Sequence, residues 1–231
     1  MIKLITFDLD NTLWEVMPVI IRAEKTMRAW LEQRVPAYST TVTNQQMSEL
    51  REAALAENPQ LICNISDMRL LLLERALTLC GETPGRAAQL AADAFEIFMQ
   101  GRNAVTLYPG AQAMLEELSS RYRLAALTNG NADVSVMPIS RYFEFSMSPE
   151  KVQARKPSSK IFAATLQIAK CSASEVIHVG DNLQEDVEGA VAAGWHAVWA
   201  NIAGEPAPEC PSYSAQITRL EDLSRTVEQI G

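Results

Sequence analysis

The chain has 231 residues, 48% of them apolar and 21% charged, which is enough to bury a core and argues against disorder. Lys+Arg 20 against Asp+Glu 28 gives a net charge of −8, so the broad basic surface that nucleic acid or an anionic membrane requires is excluded. No uncharged apolar run approaches the ~20 residues of a membrane span. The apolar start is too short for a signal sequence, so a cytoplasmic protein is expected. In chain order, residues 2–7 (Ile2-Lys3-Leu4-Ile5-Thr6-Phe7) read as a short buried strand. Residues 16–104 differ in kind. Helical spacing recurs in Ile20, Ala23, Met27, Trp30 and Leu31, and again in Met47, Leu50 and Ala54. A third stripe is Met68, Leu71, Leu72, Arg75, Ala76 and Leu79, ended by Gly81. Thr83-Pro84 suits an N-cap and first helical position, and opens a fourth stripe of Ala87, Leu90, Ala91, Ala94, Phe95 and Phe98. Four helices and no strand are predicted there.

From Tyr108-Pro109-Gly110 the pattern alternates. Predicted are a helix Ala111–Ser119, a strand 124–127, an extended stretch 143–146, a helix 158–169, a strand 176–179, a helix 185–193, a strand 197–199 and a last helix ending near Ile230. Strands alternating with helices of this length imply a parallel sheet covered on both faces, with the helical module inserted after the first strand. The one loop-rich region is 204–211. Cys63, Cys80, Cys171 and Cys210 form no C-x-x-C pair and read as reduced thiols.

Four short stretches carry chemistry. In Phe7-Asp8-Leu9-Asp10-Asn11-Thr12, Asp8 and Asp10 point the same way at the end of a buried strand. Such carboxylates resist joint ionisation unless a proton or a hard cation such as Mg²⁺ sits between them. Alone, the same residues read more readily as an acidic capping loop. Thr128-Asn129-Gly130 follows an apolar strand and offers a hydroxyl and backbone N–H groups to an oxyanion, or is an ordinary turn. In Arg155-Lys156-Pro157-Ser158, Ser158 can cap a helix and Lys156 is presented in a loop, either to neutralise phosphate or simply solvated. In Val176-Ile177-His178-Val179-Gly180-Asp181, Asp181 sits at the carboxyl end of a strand, where open α/β sheets bind ligands. Asp186 lies five residues on and would orient that loop or act behind the metal ligands. His178 reads as a core histidine, and no Ser–His or Cys–His pair supports triad chemistry.

The order of these stretches resembles the haloacid dehalogenase-like (HAD) superfamily, whose signature is D-x-D-x-T, a Ser/Thr after a strand, a Lys, and G-D-x-x-x-x-D. The resemblance covers essentially the whole chain. It implies an α/β fold: a Rossmann-like doubly wound parallel sheet from residues 1–15 and 105–231, with an inserted α-helical cap at 16–104. It further implies a phosphatase in which Asp8 attacks phosphorus to form an aspartyl-phosphate. Asp8, the Asp10 carbonyl and Asp181 would hold Mg²⁺, and the Asp10 side chain would be acid and then base. Thr128, the Asn129 N–H and Lys156 would bind the phosphoryl oxygens. The superfamily's dehalogenases need no metal and lack counterparts of Asp10 and Asp181, whereas its phosphomutases keep all four motifs. A phospho-accepting receiver domain, the alternative of another class, is about half this length with its Asp mid-chain.

The stretches Phe7–Trp14 and Pro18–Glu24, with Thr128–Ala132 and Tyr142–Phe145, look like a bacterial subgroup of flavin-pathway phosphatases. That likeness implies FMN or 5-amino-6-(5-phosphoribitylamino)uracil as the small-molecule phosphate ester; Asn11 departs from the subgroup's usual acid. Trp14 and Arg22 are the candidate substrate contacts, as stacking surface and donor, against a hinge-packing Trp and a salt-bridging Arg. Residues 15–17 and 103–106 are the expected hinges of cap closure. Oligomeric state is not legible in the chain.

Overall fold

The structure, a computed structural model, describes residues 1–207, 209 and 212–231. Its elements in order are β1 (Leu4–Phe7), α1 (Val16–Arg34), α2 (Tyr38–Thr41), α3 (Asn44–Glu57), α4 (Ile65–Leu79), α5 (Pro84–Asn103), α6 (Ala111–Ser119), β2 (Arg123–Leu127), β3 (Phe145–Met147), α7 (Pro149–Val152), α8 (Ser159–Ala169), β4 (Val176–Gly180), α9 (Gly189–Ala192), β5 (His196–Ala200), β6 (Ala215–Ile217) and α10 (Leu223–Ile230). The chain divides into two compact units, Met1–Val16 with Thr106–Gly231, and Met17–Val105. Among the described residues no helix is long and apolar enough to cross a membrane. Cys63, Cys80 and Cys171 are free thiols. Cys210, with Pro208 and Pro211 of the loop-rich stretch, lies outside the described residues.

The first unit is a six-stranded parallel sheet in the order β3-β2-β1-β4-β5-β6. It is the Rossmann-like, doubly wound arrangement expected. The β1 and β4 strands are buried throughout, as strands covered on both faces must be, and this explains why they are apolar but for Thr6 and His178, which meet each other. Connections leave the centre in opposite directions from β1, so the β1/β4 boundary is the switch point where such sheets leave a crevice. Phe7 pairs with both Ala126 and Val179. Asp8, Leu127 and Gly180 therefore end level with one another at that crevice.

The second unit is all-helical; Ala54, Leu61, Met68 and Leu72 form a smaller cluster apart from its main core. Ala23, Met27 and Leu31 of α1, Leu73, Ala76 and Leu77 of α4, and Ala87, Leu90, Ala94 and Phe98 of α5 fill the main core. Gly101 lets α5 approach α1 closely, because a Cβ there would lie 2.9 Å from the Ala23 backbone. Thr43 opens α3 with a reciprocal capping box to Gln46.

Several expectations shift. The helical region holds five α-helices, not four, because residues 38–41 form a turn of their own. The α4 stripe is broader than expected: Met68, Leu72 and Ala76 are buried as predicted and Leu73 and Leu77 join them, while Leu79 is 53% exposed and Arg75 pairs outward with Glu57. Pattern alone could not separate adjacent leucines in Leu71-Leu72-Leu73. The helix expected at 185–193 begins instead as a π-helical turn, Leu183–Glu188, before α9. Strand β6 was hidden in the sequence because its three residues lack an apolar run.

Candidate active site

At the end of β1 the Asp8 backbone N–H still donates to the Val179 carbonyl, at 2.8 Å, which holds the residue in the ladder and fixes where its carboxylate points. Lys156, in the loop before α8, is 1% exposed, not a solvated loop lysine. Its Nζ donates to Asp8 Oδ1 at 2.8 Å, to the Leu127 carbonyl at 2.7 Å and to Asp186 Oδ1 at 2.5 Å, which uses all three ammonium protons. Burial alone would lower the Lys156 pKa, but Asp186 and Asp8 outweigh it and hold the ammonium above its ordinary range. Burial pushes the Asp8 carboxyl up to about 8; Asp186 and Asp181 push the same way and Lys156 opposes.

Asp186 is 2% exposed and saturated with donors. Besides Lys156, its Oδ1 meets His178 Nε2 at 3.0 Å, and its Oδ2 accepts from the Asn182 N–H at 3.0 Å. Burial would raise its pKa, but Lys156 and His178 hold the carboxyl well below the ordinary range. His178 Nδ1 lies 2.8 Å from the Thr6 hydroxyl. Burial lowers the His178 pKa and Lys156 adds to it, although Asp186 opposes. Gly180 is required beside Asp186, since a Cβ would meet the carboxyl carbon at 2.3 Å.

Asp181 is held by a reciprocal pair. The Thr12 hydroxyl donates to its Oδ1 at 3.0 Å and accepts from its N–H at 3.1 Å. The Trp199 indole donates to the Asp181 carbonyl at 2.8 Å. Burial, with Asp186 adding, raises the Asp181 carboxyl to about 6. Thr128, at the end of β2, is buried, and its hydroxyl accepts from the Gly130 N–H at 3.0 Å. The Asn129 side chain clamps the Lys156 backbone: Nδ2 donates to its carbonyl at 3.0 Å, and Oδ1 accepts from its N–H at 2.8 Å. Glu185, paired with Arg155, accepts from the same Asn129 amide.

One carboxylate oxygen from each of Asp8, Asp181 and Asp186 falls within 4.8 Å of the other two. Carboxylates outnumber cations there, and the donors are hard oxygens, a set that fits a divalent cation of the Mg²⁺ type. The family model for haloacid dehalogenase-like hydrolases matches residues 2–194. The chain belongs to that family. A solved 2-haloacid dehalogenase from Pseudomonas syringae pv. Tomato DC3000 superposes with a TM-score of 0.95 at 37% identity, covering 100% of both chains. The curated 5-amino-6-(5-phospho-D-ribitylamino)uracil phosphatase YigB of Escherichia coli K12 is 29% identical over 198 residues, 86% of this chain and 83% of its own length. The phosphoserine phosphatase of Thermus thermophilus is 34% identical over 158 residues, 66% of this chain and 61% of its own.

Within this HAD hydrolase the sheet edge brings Asp8, Thr128, Asn129, Lys156, Asp181 and Asp186 together, from segments that are far apart in sequence. The Asp10 carboxylate stays outside the group of three; its Oδ1 accepts from the Trp14 indole at 3.0 Å. Trp14 corrects an expectation. The side chain is fully buried, with its N–H turned to Asp10, so it offers no face for a ligand to stack on. Arg22 belongs to the helical unit, where its guanidinium donates to the Ala104 carbonyl beyond the end of α5. Asn11 sits at φ 58° with its side chain accepting from the Val16 N–H, a left-handed conformation that asparagine tolerates. Sequence reasoning missed His178, Thr6, Glu185 and Trp199 as parts of the site. The only available signal was their position beside motif residues, and each looked like core or surface.

Proposed function

We propose that this hydrolase releases phosphate from a small-molecule phosphomonoester through an aspartyl-phosphate on Asp8. The observation that carries the reading is the convergence of the Asp8, Asp181 and Asp186 carboxylates beside the buried Lys156. Bound Mg²⁺, held by Asp8, Asp181 and the Asp10 carbonyl, would supply the positive charge that lets a carboxylate approach an anionic phosphate. The chain's own residues do the rest. An Asp8 carboxylate oxygen attacks phosphorus while the ester P–O bond breaks, and Asp10 gives its proton to the departing alkoxide. Asp10 then takes a proton from water as the water oxygen attacks phosphorus, releasing phosphate and restoring Asp8. Lys156, Thr128 and the Asn129 N–H hold the phosphoryl oxygens, with Lys156 braced from behind by Asp186.

Residues 1–15 and 105–231 are assigned as the catalytic core and 16–104 as the cap whose side chains select the ester. The flavin-pathway relative supports FMN or 5-amino-6-(5-phosphoribitylamino)uracil as substrate. A second reading, displacement of halide from a 2-haloacid by the same Asp8, is favoured by the likeness to the solved dehalogenase. Against it stand Asp10 and Asp181, for which halide displacement has no use. The test is phosphate release over a metabolite panel with Mg²⁺, including FMN and sugar phosphates, beside chloride release from 2-chloropropionate. Phosphate turnover abolished by chelation and by Asp8→Asn is expected. Metal-independent chloride release without phosphate turnover would replace the reading.

A further inference from the structure

The indole of Trp14 is fully buried, and its N–H donates to Asp10 Oδ1 at 3.0 Å. An indole nitrogen is a donor only and does not ionise at working pH, so the contact orients the carboxylate without supplying the proton that is transferred. The loop is built to make it. Leu13 N–H donates to Leu9, Asn11 N–H donates to Trp14 at 2.6 Å, and Tyr108 N–H donates to Leu13. These bonds, with Asn11 in the left-handed region, turn the chain back so that Trp14 lies beside Asp10. Burial of an indole in this protein does not by itself demand a partner, because Trp195 Nε1 is buried without one.

We propose that Trp14 is a positioning residue for Asp10, fixing the carboxylate that protonates the leaving group. The inference rests on the acid–base role given to Asp10 above. A leaving alkoxide needs that proton, whereas a nitrophenolate departs without it. The quantity kcat/KM covers only steps up to departure of the leaving group, so it excludes the later role of Asp10 as base. The experiment compares kcat/KM for an alkyl phosphate, glycerol phosphate, with that for p-nitrophenyl phosphate. The proteins are the wild type with Mg²⁺, Asp10→Asn, Trp14→Phe, and a protein carrying 3-benzothienylalanine at position 14, which keeps the indole shape and replaces N–H by sulfur.

In Trp14→Phe and the sulfur analogue the alkyl:aryl ratio is expected to fall about tenfold, in the direction of the Asp10→Asn change, since general acid catalysis contributes on the order of 10²–10⁴. A structural role alone would lower both substrates together. If Asp10→Asn shifts the ratio and the sulfur analogue leaves it unchanged, the role of Trp14 is overturned. If Asp10→Asn itself leaves the ratio unchanged, the acid–base reading beneath it is what fails.

Discussion

Replacing Lys156 by Met removes the ammonium that lies between Asp8 and Asp186 while nearly keeping the volume of a side chain that is 1% exposed. The methionine leaves the Leu127 carbonyl without its 2.7 Å donor and the Asp186 carboxylate supported only by His178 and the Asn182 N–H. Breaking a buried pair by removing one partner costs about 3–5 kcal/mol, because the remaining charge stays desolvated. Much of that cost sits on Asp186. Asp8, already raised to about 8, can take up a proton at neutral pH and escape the penalty. The sign with pH follows. Without the lysine Asp8 is raised further and Asp186 loses the cation that held it low, and a carboxyl raised in the folded state loses stability as pH rises, so the deficit is larger at pH 8 than at pH 5. Urea unfolding of the metal-free protein is followed by tryptophan fluorescence, three of whose four reporters, Trp14, Trp195 and Trp199, lie in the sheet-containing unit. Adding Asp186→Asn to the Lys156→Met protein is expected to recover part of the loss. A deficit below about 1 kcal/mol, or one that neither pH nor the second substitution changes, would refute the reasoning.

Three other outcomes are expected. Between pH 6.5 and pH 8.5 the metal-free protein loses on the order of 1–2 kcal/mol of stability as Asp8 ionises in the fold, its carboxyl being already ionised when unfolded; Mg²⁺ is expected to restore it, with proton uptake by buffer measured calorimetrically, and a metal-free stability flat across that range would count against the burial of Asp8 as the cause. Gly180→Ala drives a Cβ into the Asp186 carboxyl, displacing the brace on Lys156, so phosphate turnover should fall at least tenfold while the fold persists by circular dichroism; near-normal turnover would show that Asp186 has room to move. Trp199→Phe removes the donor to the Asp181 carbonyl and is expected to weaken Mg²⁺ activation several-fold, seen as a rightward shift of the metal titration, with an unshifted curve contradicting that role.

How much could be read without coordinates differs by residue. Helix α6 has the expected bounds, because a left-handed Gly110 and an amphipathic face are local signals. Asp8 and Asp181 were legible because a buried parallel strand is mainly apolar, so an acid just past its end stands out. Lys156 was legible as a residue but not as an environment, since nothing near it in sequence predicts that it is buried between Asp8 and Asp186. Trp14 was left between a stacking surface and a packed hinge for the same reason: aromatic character near a motif does not say which way the ring faces. The broadened stripe of α4 shows the limit of periodicity where apolar residues run consecutively.

The sequence by itself determined most of the elements, the acidic and cationic groups, and their place at strand ends, because these follow from local patterning along the chain. Only the tertiary structure decided how those groups are paired. The parallel register that sets Asp8 level with Leu127 and Gly180 brings together residues as many as 178 positions apart, such as Asp8 and Asp186. Over that distance the hydrogen bonds of Lys156, His178 and the two indoles depend on angles and fractions of an ångström. The acidic excess of the chain, which at first excluded partners, becomes in the fold a small cluster of desolvated carboxylates with one lysine among them.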